Sequence, residues 1–435
     1  MALGGGVFTN QNKVLPGAYI NFVSAMSSNA AVSDRGVAAM ALMMDWGKKG
    51  EMFSLTKNEF LEKAPLYFGY NASDDELKGI RDLFLNVKKC YFYRLNGGTK
   101  AQNTYAQAKC FGTCGNKIKI VIRNSIYVSG RYDVITYFDG KEVDLQTVSA
   151  STGLKANDYV TFKIFTMAVT TGSALSGGTS DNSVSDTIHS NFLSALESLS
   201  FNTLCCFSEE SSVQSLYIQF TQDMRDSYGI KFQTLLYNAS APDYIGIVNL
   251  KTAVTDSDAN GNELLYWTAG ALSACGISES LTNRVYDGEF TPDADMTQEE
   301  LEEGIAGGEF LFHRVGDEIR VLADINSFTD FDDEMGSDFA YNQVIRIIDT
   351  AANDLAYIFN SKYLGKVQNN RSGRISFWNE VVTYNRTLEN MGVIEDFNPD
   401  EVVVEEGNTR DSIVVANPLK IVSAMAKLYM TIVVA

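Results

Sequence analysis

Histidine, the side chain most often used for proton transfer at neutral pH, occurs twice in this 435-residue chain. His189 falls in a predicted helix and His313 in the strand-like FLFHRVG. Either imidazole could serve as the base of a serine hydrolase, but no GxSxG or comparable nucleophile motif lies near either residue. The sequence therefore predicts structural roles for both histidines and offers no catalytic residue.

Cysteine thiolates could bind a metal, and Cys110 and Cys114 in AKCFGTCGN form the one pair at a short spacing that suggests it. A closed zinc site needs four ligands, and no second pair stands at ligand spacing. Cys205 and Cys206 are adjacent in the apolar FNTLCCF, which suits a reducing cytosol better than a disulfide framework. Free thiols without a metal are predicted for all six cysteines: Cys90, Cys110, Cys114, Cys205, Cys206 and Cys275.

Phosphate and calcium sites are not indicated either. The glycine-rich pieces Gly4–Gly6, Gly97–Gly98 and Gly177–Gly178 match neither GxxxxGK[ST] nor GxGxxG, so we predict turns and linkers and no cofactor. The acidic stretch 287–309 lacks the DxDxDG spacing of a calcium loop, and we predict a solvated helix start there. Its acidic residues include Asp293, Asp295, Glu299, Glu300, Glu302 and Glu303.

The first half of the chain alternates between helical and β-prone patterns. A Gly- and Asn-rich arm ends at the turn signal Pro16-Gly17, and AYINFVSA then predicts a strand. The apolar GVAAMALMMDWG predicts a buried strand, and residues 56–87 have helical periodicity before the strand-like CYFYRL. Residues 99–175 contain short β-prone runs separated by Gly, Asn and Asp, which is typical of an all-β module.

After the Gly/Ser-rich GSALSGGTSDNSVSD, helices and strands alternate, which favours an α/β layer. Helices over 341–360 and 373–391 precede three β-prone runs, EVVVEE, SIVVAN and KLYMTIVVA. We predict a multidomain α+β protein with an α/β core, a β-rich inserted domain and a C-terminal α+β domain. The predicted boundaries are 1–24 for an arm and strand, 25–96 for the first part of the core, 97–178 for the β-rich domain, 179–325 for the α/β core and 326–435 for the C-terminal domain.

The charge balance limits the partners. With 35 Lys and Arg against 54 Asp and Glu, the formal net charge of −19 repels nucleic acid and anionic lipid. No run of about 18 apolar residues and no signal-peptide pattern occurs, so we expect a soluble chain without membrane insertion. One stretch, 355–379, reverses this balance, because it lacks acidic residues. Its cations, Lys362, Lys366, Arg371 and Arg374, form either a basic patch or the cap of the preceding helix.

Seven segments in a fixed order resemble the tail sheath proteins of contractile phages and phage-derived particles, in particular the type found in Gram-positive bacteria. They are FTNQNKVLPGAYINF near the start, YRLNGGTKA, LSGGT, SLTNRVYDGE, FLFHRVGDEIRVLADINSF, NQVIRIIDTAANDLAYIFNSKYLGKVQNNRSGRISFWN and the ending AMAKLYMTIVVA. Each segment alone has low specificity, but together the segments cover the chain from end to end, and their order and spacing are characteristic.

The resemblance implies a sheath of stacked six-subunit rings around an inner tube, which shortens when a baseplate triggers it. Its partners would be further copies of the chain, the inner tube protein, and baseplate and terminator or collar proteins. Its place would be a virion tail or a phage-tail-like particle, assembled in the host bacterial cytoplasm. A C-terminal domain facing the tube would make Lys362, Lys366, Arg371 and Arg374 a tube contact. The subtilisin-like label of the middle part in this family names fold similarity, and no protease activity is implied.

Both chain ends are predicted to be strands that pair with neighbouring copies. Side chains in 427–435 alternate between two faces that are both largely apolar, so both faces need burial. A neighbour's sheet edge would supply that burial and would build an open polymer. The predicted N-terminal strand residues are Gly17, Ala18, Tyr19, Ile20, Asn21, Phe22 and Val23. The predicted C-terminal strand residues are Leu428, Tyr429, Met430, Thr431, Ile432, Val433 and Val434.

Two other functions stay open on the sequence. A subtilisin-fold hydrolase would be labelled stoichiometrically on one serine by a fluorophosphonate. A tail-tube or baseplate protein would form rings without helical polymers in negative-stain images.

Overall fold

The computed structural model describes residues 32–433. In chain order, the strands of this range are β1 (Val37–Leu42), β2 (Met52–Thr56), β3 (Lys89–Arg94), β4 (Gly98–Thr99), β5 (Ala106–Ala108), β6 (Ile118–Asn124), β7 (Tyr132–Phe138), β8 (Lys141–Val148), β9 (Val160–Phe162), β10 (Thr170–Ala174), β11 (Thr179–Ser180), β12 (Thr203–Cys205), β13 (Gln233–Tyr237), β14 (Ile247–Leu250), β15 (Glu309–Phe310), β16 (Phe312–Val315), β17 (Glu318–Val321), β18 (Val403–Glu406) and β19 (Ile413–Ala416). The α-helices are α1 (Lys57–Tyr67), α2 (Lys78–Asn86), α3 (Asp186–Leu196), α4 (Ser211–Gln222), α5 (Leu264–Ala274), α6 (Gln298–Ala306), α7 (Asn342–Ile358) and α8 (Arg371–Asn390).

The described chain divides into two compact units. Residues 34–353 and 421–433 belong to the first, which we call the core unit. Residues 32–33 and 354–420 belong to the second, the C-terminal unit. The protein is thus a mixed α/β multidomain chain, as the sequence predicted, while the five finer domain boundaries stay predictions.

A seven-stranded sheet in the order β15-β14-β13-β12-β1-β3-β2 forms the centre of the core unit. Every pair is parallel except β2 against β3. Because parallel strands are buried on both faces, they are continuously apolar, and β1 is buried from Ala38 to Leu42. Met40 belongs to the apolar cluster that contains α2 and α5, whereas Ala39 belongs to the one that contains α3 and α4. The predicted α/β layer is confirmed as a sheet between two helical layers.

Residues 98–180 form a strand-rich module of the core unit. Its main sheet is antiparallel in the order β10-β6-β7-β8, and the turn between β7 and β8 places Asp139 and Gly140 at φ 48° and 78°. Asp-Gly tolerates this left-handed backbone, which makes it a strong hairpin signal. Strand β4 pairs with β11, so the module's two ends lie side by side. Ser180 Oγ and Tyr70 Oη donate to the Asp45 carboxylate at 2.7 and 2.8 Å. This carboxylate therefore links β11, the last strand of the module, to the rest of the core unit.

A buried polar stripe runs along the part of α7 in the core unit. The Arg346 guanidinium contacts the Asp324 carboxylate at 2.6 Å, and both side chains are 1% exposed. Burial raises the pKa of Asp324, but Arg346 and hydrogen bonds from Leu281 N and Asn342 Nδ2 outweigh burial and hold that pKa below its usual range. The stripe repeats at i, i+4, i+7 and i+11: Asn342, Arg346, Asp349 and Asn353.

The second half of the stripe contacts the helical turn Asp223–Ser227, which directly continues α4, and the loop after it. Arg225 donates from both terminal nitrogens to Asp349, at 2.6 and 2.8 Å. Asn353 accepts from the Lys231 amide and donates to the Lys231 carbonyl. Two buried arginines of the core unit therefore have bidentate or nearly bidentate carboxylate partners, the geometry that best offsets the loss of hydration.

Replacing Asp324 with Asn should lower the free energy of unfolding by about 3–5 kcal/mol, because Arg346 would keep a buried charge without its counter-ion. Denaturant titration followed by circular dichroism at pH 7 measures the loss. The double variant Asp324→Leu/Arg346→Met removes both charges and should lie much closer to wild type.

The matched control is Glu318→Gln, which removes the exposed partner of Arg320 and should cost less than about 1 kcal/mol. Since the folded-state pKa of Asp324 lies below its unfolded value, its contribution is present at neutral pH and is lost as the pH falls through the folded pKa. The gap between wild type and Asp324→Asn should therefore narrow below about pH 4. Equal stability of the two proteins at pH 7 would contradict the assigned role.

Candidate assembly surfaces

Both histidines occupy packing positions. His189 on α3 is buried, with Nδ1 3.1 Å from the Tyr217 hydroxyl, and burial lowers its pKa. His313 on β16 is half-buried and faces Arg320 on β17 in register. Burial, followed by the Arg320 charge, lowers the pKa of His313. Each imidazole is thus held neutral at pH 7 and serves the packing of its own layer.

The cysteines and the acidic stretch 287–309 also have structural surroundings. All six cysteines are unpaired, and burial raises the pKa of Cys114 to about 11 and of Cys206 to about 12, so these thiols are protonated at neutral pH. Helix α6 opens with a capping box in which Thr297 and Glu300 satisfy each other's backbone N–H groups, which confirms the predicted helix start. Between residues 32 and 433, no three His, Cys, Asp or Glu side chains are placed to hold a metal, and no helix has the length and apolarity to cross a bilayer.

The C-terminal segment, residues 421–433, ends in a run of exposed apolar side chains. Its start is tied to α7 by a 2.9 Å hydrogen bond from Ala424 N to Gln343 Oε1. Beyond that point the backbone is neither helix nor strand, and the side chains of Leu428 and Val433 are 84% and 85% exposed. Tyr429, Met430 and Ile432 are also exposed. Within a single copy, the described residues leave the side chains from 428 to 433 exposed.

The C-terminal unit contains a sheet with two open edges. Strands β18 and β19 pair antiparallel from Val403↔Ala416 to Glu406↔Ile413, and no third strand of the described chain joins them. Trp378 Nε1 donates to Val402 O at 2.9 Å, which attaches the hairpin to α8. A two-stranded hairpin is marginal by itself, and open edges readily accept further strands.

The four predicted tube-contact residues lie in the C-terminal unit and have different surroundings. Lys362 Nζ contacts the Glu380 carboxylate at 3.0 Å, and Lys366 donates to the Ser361 carbonyl. Arg371 is exposed at the start of α8. Of these three cations, Lys362 is in an ion pair, whereas Lys366 and Arg371 are exposed.

Arg374, the fourth, is partly buried at the base of α8. Its Nη1 donates to Asn369 Oδ1 at 3.0 Å and lies 3.5 Å from the Glu406 carboxylate on β18. A cavity of about 90 Å³ beside it is lined by aromatic and aliphatic side chains that include Phe359, Phe377 and Ile413. Apolar and basic groups therefore share this surface.

Sequence reasoning missed the hairpin and the buried stripe. The runs EVVVEE and SIVVAN were predicted only as two strands, whereas the structure pairs them as an antiparallel hairpin across the six-residue loop 407–412. The stripe was visible as Asn and charged residues at helical spacing within an apolar helix. The predicted N-terminal strand, 17–23, and Val434 lie outside the described residues, and pairing of the C-terminal strand with a neighbour stays a prediction.

Comparisons with known proteins point to one family. The chain matches the phage tail sheath β-sandwich domain over residues 96–182, the central domain over 182–327 and the C-terminal domain over 334–435. It is 29% identical to the phage-like element PBSX protein XkdK of Bacillus subtilis, over 99% of both chains.

Solved structures of sheath proteins are also similar to this chain. A sheath tail protein from Desulfitobacterium hafniense is 32% identical, with a TM-score of 0.79 over 89% of this chain and 93% of the other. The contracted helical sheath of the anti-feeding prophage shares the fold, with a TM-score of 0.60 at 12% identity over 97% of this chain and 99% of the other.

Trypsin should cut the unassembled chain rapidly after Lys427, because the surrounding segment is exposed and outside regular structure. Intact-mass spectrometry would detect loss of the terminal peptide LYMTIVVA. A Lys427→Gln variant, which removes the cleavage site, is the control. Resistance of the wild-type monomer at this bond would show that the segment is already covered within one copy.

Proposed function

Because the chain belongs to the phage tail sheath family, we propose that it is the structural subunit of a contractile tail sheath, with an architectural and not an enzymatic role. Copies would stack helically as six-subunit rings around an inner tube and would shorten to drive the tube through a target cell envelope. The observation that carries this proposal is the exposed C-terminal segment, an apolar run of strand length that a single copy leaves in water.

Strand exchange would give that segment its burial. The open edges of the β18–β19 hairpin supply unpaired backbone groups, and strand addition to such an edge uses main-chain hydrogen bonds for affinity and alternate side chains for specificity. Burying one Leu, Ile, Val or Met side chain contributes about 1.5–3 kcal/mol. Several such side chains from one segment can therefore offset the cost of association, roughly 4–15 kcal/mol. Residues 17–23 would add a second exchanged strand.

Exchanged strands would also explain how a polymer contracts without falling apart. Backbone pairing survives a change in the angle between subunits when the chain before each strand can bend. The stretch 417–423 before the C-terminal strand lacks helix and extended strand, which suits a hinge. Contraction would then repack the rings while every strand stays in its neighbour's sheet.

The basic patch would orient the subunit on the inner tube. Lys366 and Arg371 are exposed cations on a chain of net charge −19, so they would attract an acidic tube surface against the general repulsion. Exposed ion pairs are individually weak, which allows the sheath to release the tube when it shortens. Lys362 and Arg374 would support the same face, and the small apolar cavity beside Arg374 would add contact area.

The same proposal implies further partners and a location for the protein. Baseplate proteins would hold the first ring and terminator or collar proteins the last. The sheath would be part of a virion tail or a phage-tail-like particle, assembled in the cytoplasm of the host bacterium.

Deleting residues 428–435 should leave a folded, soluble monomer that forms no sheath-like polymer, because the exchanged strand is gone. A subtler variant is Thr431→Pro, which removes one backbone donor within the strand and should weaken polymerisation. Negative-stain electron microscopy and sedimentation measure polymer formation, and circular dichroism measures folding.

Thr431→Ser is the matched control and should polymerise like wild type. Sheath-like polymers of normal length from the 428–435 deletion would contradict strand exchange at this end. Isolated rings from the wild-type chain would favour a tube or baseplate protein, and stoichiometric labelling by a fluorophosphonate would favour a hydrolase.

The double variant Lys366→Glu/Arg371→Glu should weaken co-assembly with the inner tube protein, since two attractive charges become repulsive. Co-sedimentation with the tube at increasing salt measures both the affinity and its salt dependence. Lys57→Glu/Lys155→Glu, an equal charge change at two exposed residues of the core unit, is the control. Unchanged tube binding by the patch variant would refute the assignment while leaving sheath polymerisation untouched.

A further inference from the structure

The hairpin that joins β6 to β7 carries an exposed apolar tip. Ile126 and Tyr127 are 75% and 86% exposed, and Val128 beside them is also exposed. The tip is ordered by its own hydrogen bonds: Ser125 N donates to Arg131 O, and Val128 N donates to Ser125 Oγ. Three consecutive exposed apolar residues on a fixed turn make a contiguous apolar patch, and patches of this kind mark interaction sites more often than single exposed residues do.

Cations flank this tip. Arg131 is exposed at its base, and Arg123 on β6 lies 3.6 Å from the carboxylate of Asp133 and is half exposed. The tip therefore combines apolar and basic character in a chain whose net charge is −19. A surface of this composition complements a groove that is apolar at its floor and acidic at its rim.

The core unit has such a groove at the carboxyl ends of β1 and β12. It encloses about 690 Å³, and its charged lining residues, Asp186, Glu209, Glu210 and Glu263, are all acidic. Asp186 lies in the first turn of α3 and Glu210 occupies the N-cap position of α4, where the helix dipole favours a carboxylate. Leu42, Val213 and Tyr266 contribute apolar and aromatic surface to the same groove.

We propose that the 125–131 tip of one copy docks in this groove of a second copy. Ile126 and Tyr127 would enter the groove, and Arg131 would meet the carboxylates of Glu209 and Glu210 at its rim. The tip is exposed in the single chain, so it does not fill the groove of its own copy.

A tip on one surface and a groove on another make a heterologous contact, which generates open polymers rather than closed dimers. The contact rests on the proposed self-assembly and is separate from the exchanged strands. It would stabilise only one of the two arrangements of neighbouring subunits, before or after contraction. The tip could leave the groove during the change while the exchanged strands stay paired.

Cross-linking between two single-site variants tests the contact. Polymers assembled from a mixture of Tyr127→Cys and Glu210→Cys chains, treated with a short bis-maleimide, should give a covalent dimer on denaturing gels. Wild type and each variant assembled alone set the background from the native cysteines. Polymers without the specific dimer would overturn the proposal and leave the sheath function standing, whereas absence of polymers from every chain would count against the proposed function.

A second experiment measures how much the tip contributes to the free energy of polymerisation. Ile126→Ser/Tyr127→Ser should raise the critical concentration of polymerisation about tenfold, which corresponds to about 1.4 kcal/mol. Ile164→Ser/Val169→Ser, which also replaces two exposed apolar residues of the module by serine, should leave it within about twofold. Arg131→Glu should be rescued by mixing with Glu209→Lys/Glu210→Lys chains. Equal effects of the tip and control variants, or tip-dependent binding to phosphatidylglycerol vesicles in place of a polymerisation effect, would overturn the proposal.

Discussion

The buried contact between Arg346 and Asp324 is the interaction on which the core unit most depends. Both charges are removed from water, so each requires the other together with further hydrogen bonds to compensate for lost hydration. The carboxylate also accepts from Leu281 N and Asn342 Nδ2, which joins a helix and two loops at a single carboxyl group. The Arg225 and Asp349 pair repeats this arrangement one turn further along α7. Such pairs favour one register of the helix over others, because a shift would leave buried charges unpaired.

Apolar side chains are buried in the interior of the core unit and exposed at the chain's C-terminal end, although burial would stabilise both. Inside, the apolar side chains of β1 are covered by helices on both faces, and the buried arginines have carboxylates. At the end, residues of similar apolarity between 428 and 433 lie in water. The free energy that burial would supply is therefore still available to a partner. The described chain leaves this apolar run uncovered, and the proposed sheath would bury it in a neighbouring copy.

Charge has a different task from apolar burial in this protein. A net charge of −19 keeps copies apart until specific contacts outweigh the repulsion. In the proposed assembly, the exposed cations Lys366, Arg371 and Arg131 would be the positions that an acidic surface recognises. Because such contacts are exposed, they select orientation more than they add affinity, and they can be exchanged for others when subunits repack.

The sequence by itself indicated the continuously apolar β1, the alternation of strands with α3 and α4, and a helix start within the acidic stretch 287–309. These features depend on local periodicity and on side-chain hydrogen bonds between residues close in the chain. Only the tertiary structure decided that β1 lies between β12 and β3, that β18 pairs with β19, and that Arg346 meets Asp324. It also decided that Lys362 is engaged by Glu380 while Arg371 stays exposed. Those partners lie from 7 to 165 residues apart, and their pairing follows from how whole layers pack, which no local pattern of residue types encodes.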